Sequence, residues 1–267
     1  MSATSAPSSA LDRRLHALWL WLGGWWQVVR MGSRLLVLGL SPSSYRRVQR
    51  GALLRTLYLS TAPLLPGFTL LAALVALVVI RIVLATALSY GLSRYALNVL
   101  IHTLVLELIP LSAALFVAVR HSIAAGDAVR ARHASGELRD MLQRGLDPLR
   151  DVVLPQALAG IFAVLALAMV SAAVTLALAY LSTYGFVTWG LQPFTRTVGQ
   201  VFSPVIALIF VLKTFFLSLA VSIVPMVTTP REQAGLATRS PADLTRLARL
   251  LAVILLIEVS SLVGNYY

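Results

Sequence analysis

Cysteine is absent from the 267 residues, so the chain has neither a disulfide framework nor a thiolate metal site. Charge is scarce at 12%, about half of what average soluble domains carry. Lysine occurs once, as Lys213. The four histidines (His16, His102, His121 and His133) fall at no metal-ligand spacing. No stretch reads Gly-x-x-x-x-Gly-Lys-Ser/Thr, the loop that cradles nucleotide phosphates. No Ser/His/Asp or paired-carboxylate arrangement stands out either. The chain therefore reads as a non-enzyme, and any ATP that drives it is bound by another subunit. Internal repeats and low-complexity linkers are also missing. What is present is apolar: 58% of residues are hydrophobic, in long blocks, which marks a polytopic membrane protein.

The net charge of +12 would suggest nucleic acid in a soluble chain. Its distribution argues otherwise. Eight basic residues lie between Arg13 and Arg55, six between Arg120 and Arg150, and four between Arg231 and Arg249. The loops between these groups hold only Arg94 and Arg196. Such alternation is the positive-inside pattern. It places the N-terminus in the cytoplasm and, after five spans, the C-terminus outside.

Residues 1–10 are small and polar and read as a tail. In residues 11–38, Arg13, His16, Gln27, Arg30 and Arg34 share one stripe, with Trp19, Trp21, Trp25 and Trp26 around it. The apolar part, residues 17–26, is too short for a bilayer core of about 30 Å, and an interfacial amphipathic helix is the better reading. A second basic amphipathic piece follows from Tyr45 to Thr61. Hydropathy places spans at about 63–90, 96–119, 152–184, 200–226 and 246–265. The extra length after the third, with Tyr184, Trp189, Gly190 and Pro193, reads as an external loop or interfacial helix. The division expected is a cytoplasmic N-terminus with interfacial helices over 1–62 and a five-helix domain over 63–267.

Between spans two and three lies an island, Arg120 to Asp151, with eleven charged residues. Charges are costly in hydrocarbon, so it must reach water. Leu138, Met141, Leu142 and Leu149 recur near helical spacing, predicting a short amphipathic helix that Gly145 and Pro148 interrupt. Within the apparent spans lie four ionisable residues, Arg81, Glu107, Lys213 and Glu258. Each costs about 2.5–3.5 kcal/mol at a helix centre on insertion scales, so partners or a wet cavity are expected. Arg81 with Glu107, or Lys213 with Glu258, would serve as structural ion pairs between helices.

Glu137-Leu-Arg-Asp140, then Gly145-Leu-Asp147-Pro148, then an apolar run and Pro155, resembles the cytoplasmic signature of the MlaE/YrbE permease family. The likeness extends to Glu107-Leu-Ile-Pro110, where the family has Arg-Glu-Leu-Gly-Pro, and to Val211-Leu-Lys213-Thr-Phe-Phe, where it has Lys before Phe-Gly. It covers about residues 50 to 265. Leu106 stands for the family's Arg, and Ile109 for its Gly.

The resemblance implies the permease subunit of an ABC transporter that moves phospholipid or a related hydrophobic lipid between the bacterial inner membrane and a periplasmic carrier, a system tied to outer-membrane asymmetry. The implied partners are a P-loop ATPase (MlaF-like), a periplasmic MCE-domain protein (MlaD-like), a second permease copy as a dimer, and lipid. ATP is bound by the ATPase. Carried over, Glu107 and Lys213 face a lipid cavity, and Arg81 is the candidate for the missing positive charge. Glu137, Arg139, Asp140, Arg144, Gly145, Asp147 and Pro148 form a helix that couples to the ATPase. The fold expected is all-α: an N-terminal interfacial helix plus five transmembrane helices, with a cytoplasmic coupling helix between spans two and three. Two other readings stay open, a secondary transporter using its intramembrane charges and a membrane scaffold, each acting without an ATPase.

Overall fold

A computed structural model describes residues 26–39, 41, 47–91, 93–227 and 239–266. Among these the chain is mostly helical, with no strand. Helix α1 covers 26–39, α2 Arg47–Thr61 and α3 Leu64–Ser89. Helix α4 covers 93–134 and contains two wide π-helical stretches, Ile101–Leu108 and Ala118–Ser122. Then come α5 at Glu137–Gln143 and α6 at Leu149–Tyr184. Helix α7 is Leu191–Val201, α8 Pro204–Ile223 and α9 Arg239–Tyr266. Among the described residues, five helical stretches are long and apolar enough to cross a membrane: Leu53–Ser89, Tyr95–Ala134, Leu149–Tyr184, Pro204–Met226 and Arg246–Gly264.

Helix α6 is the central post, packed against α2, α3, α4 and α8. Its buried face is built from small residues, among them Ala159, Gly160, Ala163, Ala168 and Ala172. Lipid tails are as apolar as leucine, so hydrophobicity alone does not draw helices together; small residues do, by letting backbones approach. Gly160 shows how closely. A methyl group added there would lie 2.6 Å from Ser222 Oγ of α8. Large apolar side chains face outward instead, as with Leu70, Leu74, Val78 and Ile82 on α3, the inside-out pattern suited to lipid.

Two expected boundaries move. The helix that carries the second span does not stop near 119, because α4 runs on to Ala134. The first half of the island is alanine-rich, a strong helix former, and it buries Ala125 and Val129 in a cluster with Leu35, Ile223 and Met226. The fourth span starts at Pro204 rather than 200, because residues 191–201 form the separate helix α7. Ser203 marks the break, its Oγ accepting from the Ile206 N–H at 3.5 Å, an N-cap. Across the connection before α7, Tyr184 at the end of α6 meets Trp189 and, on α7, Phe194 in edge-on contacts. Of the expected interfacial helix, 26–39 is helical, with Trp26 exposed and Leu35 buried. Its earlier part, with Arg13, His16, Trp19, Trp21 and Trp25, lies outside the described residues, as do the tail, Tyr45 and Arg231.

Candidate functional site

Lys213 is the tenth residue of α8, which places it about 14 Å along that helix at 1.5 Å per residue. That is near the middle of a hydrocarbon core of about 30 Å. The residue is 3% exposed, so its ammonium needs partners from the protein. Three are supplied. Its Nζ donates to Glu107 Oε2 on α4, to Glu258 Oε1 on α9 at 2.7 Å, and to the Leu106 carbonyl oxygen at 3.4 Å.

Local backbone chemistry explains the last contact. Leu106 lies four residues before Pro110, which lacks the N–H that an α-helix would give that carbonyl and whose ring would clash with it. The chain relieves the clash with the π-helical stretch Ile101–Leu108, an irregularity frequent at functional sites. Glu107 sits within it, turned toward α8. The same device recurs at Leu149–Val153, ahead of Pro155.

The cluster joins α4, α8 and α9, with one cation and two carboxylates. Glu107 and Glu258 keep small windows of exposure, 14% and 13% of their side chains, while the Lys213 side chain is at 1%. Glu258 Oε2 is buried without a hydrogen-bond partner among the described residues. The ion pair between Lys213 and Glu258 forms, and Glu107 joins it rather than pairing with Arg81. Glu258 was legible as an ionisable residue in an apolar run, but nothing in its neighbours shows that it completes the cluster. Arg81 is not brought in. It is exposed on α3 and makes no ion pair among the described residues.

The second group of expected residues lies at the other end of α4. Helix α5 contains no buried residue. Gly136 (φ 80°) and Gly145 (φ 76°) flank it in the left-handed conformation that glycine adopts without strain. Glu137 and Asp140 occupy its first turn, where carboxylates suit the helix dipole. Glu137, Arg139, Asp140 and Arg144 are all exposed. Asp147 acts on the backbone instead. Its Oδ1 accepts from the Leu149 N–H at 3.1 Å and its carbonyl from the N–H groups of Arg150 and Asp151, starting α6 just after Pro148.

A family model described as Permease MlaE matches residues 53–263, most of the chain. It belongs to the MlaE permease family. No curated protein matches the sequence. Family membership makes the chain a membrane permease component of a lipid transport system, a transport subunit of the kind that partners in ABC transporters.

Proposed function

We propose that this MlaE permease is the membrane subunit of an ABC transporter moving phospholipid, or a related hydrophobic lipid, between the bacterial inner membrane and a periplasmic MCE-type carrier. The observation that carries the proposal is α5: seven residues, none buried, set between two left-handed glycines at the basic end of the bundle. A short helix with no buried residue suits insertion into a groove of a P-loop ATPase, which binds the ATP. Glu137, Arg139, Asp140 and Arg144 supply the polar contacts, and Gly145 and Pro148 the return to the membrane. Asp147 holds that return in place.

In this reading the basic end is cytoplasmic, the N-terminus lies with it, and the C-terminus is periplasmic. Two permease copies enclose a cavity open to the periplasm. Glu107 and Lys213, joined by Glu258, lie at its floor, and Arg81, exposed on α3, offers a positive charge to the lipid headgroup from another wall. Mild-detergent capture of the tagged chain from its native membranes, followed by mass spectrometry, tests the whole assignment. Recovery of a P-loop ATPase, an MCE-domain protein and a defined lipid is the expected result. Recovery of the chain alone would point instead to a secondary transporter.

A further inference from the structure

A cavity of about 210 Å³ lies at the basic end, bounded by α2, the last turns of α4 and the start of α6. It is far from Lys213 and belongs to no part of the transport reading. Its lining is mixed: Arg132, Arg150 and Asp151 are charged, and Leu53, Val152 and Leu158 are apolar. Arg150 is half-buried, and its Nε and Nη2 are shut off from solvent with no hydrogen-bond partner among the described residues. Asp151 is engaged in a contact of its own. A guanidinium desolvated without an acceptor is costly, and its planar fork matches the oxygens of a phosphate.

What lies beside the cavity indicates where that phosphate comes from. Helix α2 turns Leu54, Tyr58 and Leu59 outward, all exposed, forming an apolar face at the start of the first membrane-crossing stretch, Leu53–Ser89, beside the cavity wall at Leu53. A free anion has no use for such a face, whereas acyl chains do. We propose that the cavity holds the phosphate of an anionic lipid, with Arg150 as its main ligand and Arg132 as the second, the chains leaving along α2. Bound there, the lipid ties α2 to the two helices that flank α5. The proposal does not depend on what the permease carries or on which ATPase it meets.

The full chain, purified in detergent and stripped of lipid, is titrated with phosphatidylglycerol, phosphatidylcholine or inorganic phosphate. Retention is read by native mass spectrometry and stability by thermal unfolding. Phosphatidylglycerol is expected to be retained and to raise the unfolding midpoint, phosphatidylcholine to do neither, and millimolar phosphate not to displace the lipid. R150Q, which removes a charged hydrogen-bond donor, and A128F, which fills the cavity from α4, should each weaken retention about tenfold. Equal retention of the two lipids by the unmodified chain would overturn the proposal, and that comparison decides even if a variant fails to fold. So would an R150Q chain that holds phosphatidylglycerol as well as the parent does. Stabilisation by phosphate with displacement of the lipid would overturn the lipid assignment in favour of a free-anion site.

Discussion

Lys213 Nζ and the Leu106 carbonyl oxygen lie 3.4 Å apart, and this contact joins a proline rule to a charge rule. Pro110 denies that oxygen its helical donor, while burial in an apolar bundle denies the lysine its water. Each deficit helps to meet the other. The two carboxylates then complete the coordination of the ammonium. A lysine that would otherwise be a defect of about 2.5–3.5 kcal/mol instead pins three helices at one level.

Replacing Lys213 by methionine should therefore do more harm than losing one ion pair. It leaves Glu107 and Glu258 facing each other with no cation, and breaking a buried pair in this way costs about 3–5 kcal/mol. Thermal unfolding in detergent should show a large drop in midpoint for Lys213→Met. Adding Glu107→Gln and Glu258→Gln should recover most of it. A single variant as stable as the parent would show that the cluster does not hold the helices.

Gly126 and Gly160 mark two close backbone approaches. A methyl group on Gly126 would overlap the Pro225 carbonyl oxygen, a backbone atom that cannot rotate away. At Gly160 the obstacle is the Ser222 side chain, with Oγ at 2.6 Å and Cβ at 3.2 Å. Gly126→Ala should thus cost about 1–3 kcal/mol, as overpacking does, with no simple rescue. Gly160→Ala should be relieved by Ser222→Gly. Unfolding midpoints of the three variants check the contrast.

Arg130 reaches across to the same Pro225, its Nη1 donating to the carbonyl at 3.0 Å while Nη2 pairs with Asp127. Arg130→Ala leaves that carbonyl without this donor, and should lower stability by about 1–3 kcal/mol. Unfolding of the purified variant would show it; an unchanged midpoint would mean that water replaces the guanidinium freely.

Charge reversal on α5 should separate docking from folding. Glu137 and Asp140 are exposed, on a helix with no buried residue. Glu137→Lys with Asp140→Lys should leave unfolding unchanged and weaken ATPase capture at least tenfold, roughly the loss expected for misplaced interfacial charges. Undiminished co-purification would remove α5 from the interface.

Much of this architecture was legible in the residues. Apolar runs and the alternation of basic loops follow from the cost of charge in hydrocarbon, so composition and order alone specify five spans and the water-bound island. The turn residues Gly145 and Pro148 act locally, and they bound α5 where their chemistry says they should. Tertiary structure decided what depends on contacts distant in sequence. The island's first half extends α4 because Ala125 and Val129 find Leu35, Ile223 and Met226 to pack against. Lys213 meets residues 106 and 45 positions away, a choice among several intramembrane charges that no local pattern encodes. Arg81, equally conspicuous in the sequence, is left outside that cluster, exposed on α3. Residue chemistry dictates which groups cannot be left alone in lipid; only packing decides which partners they find.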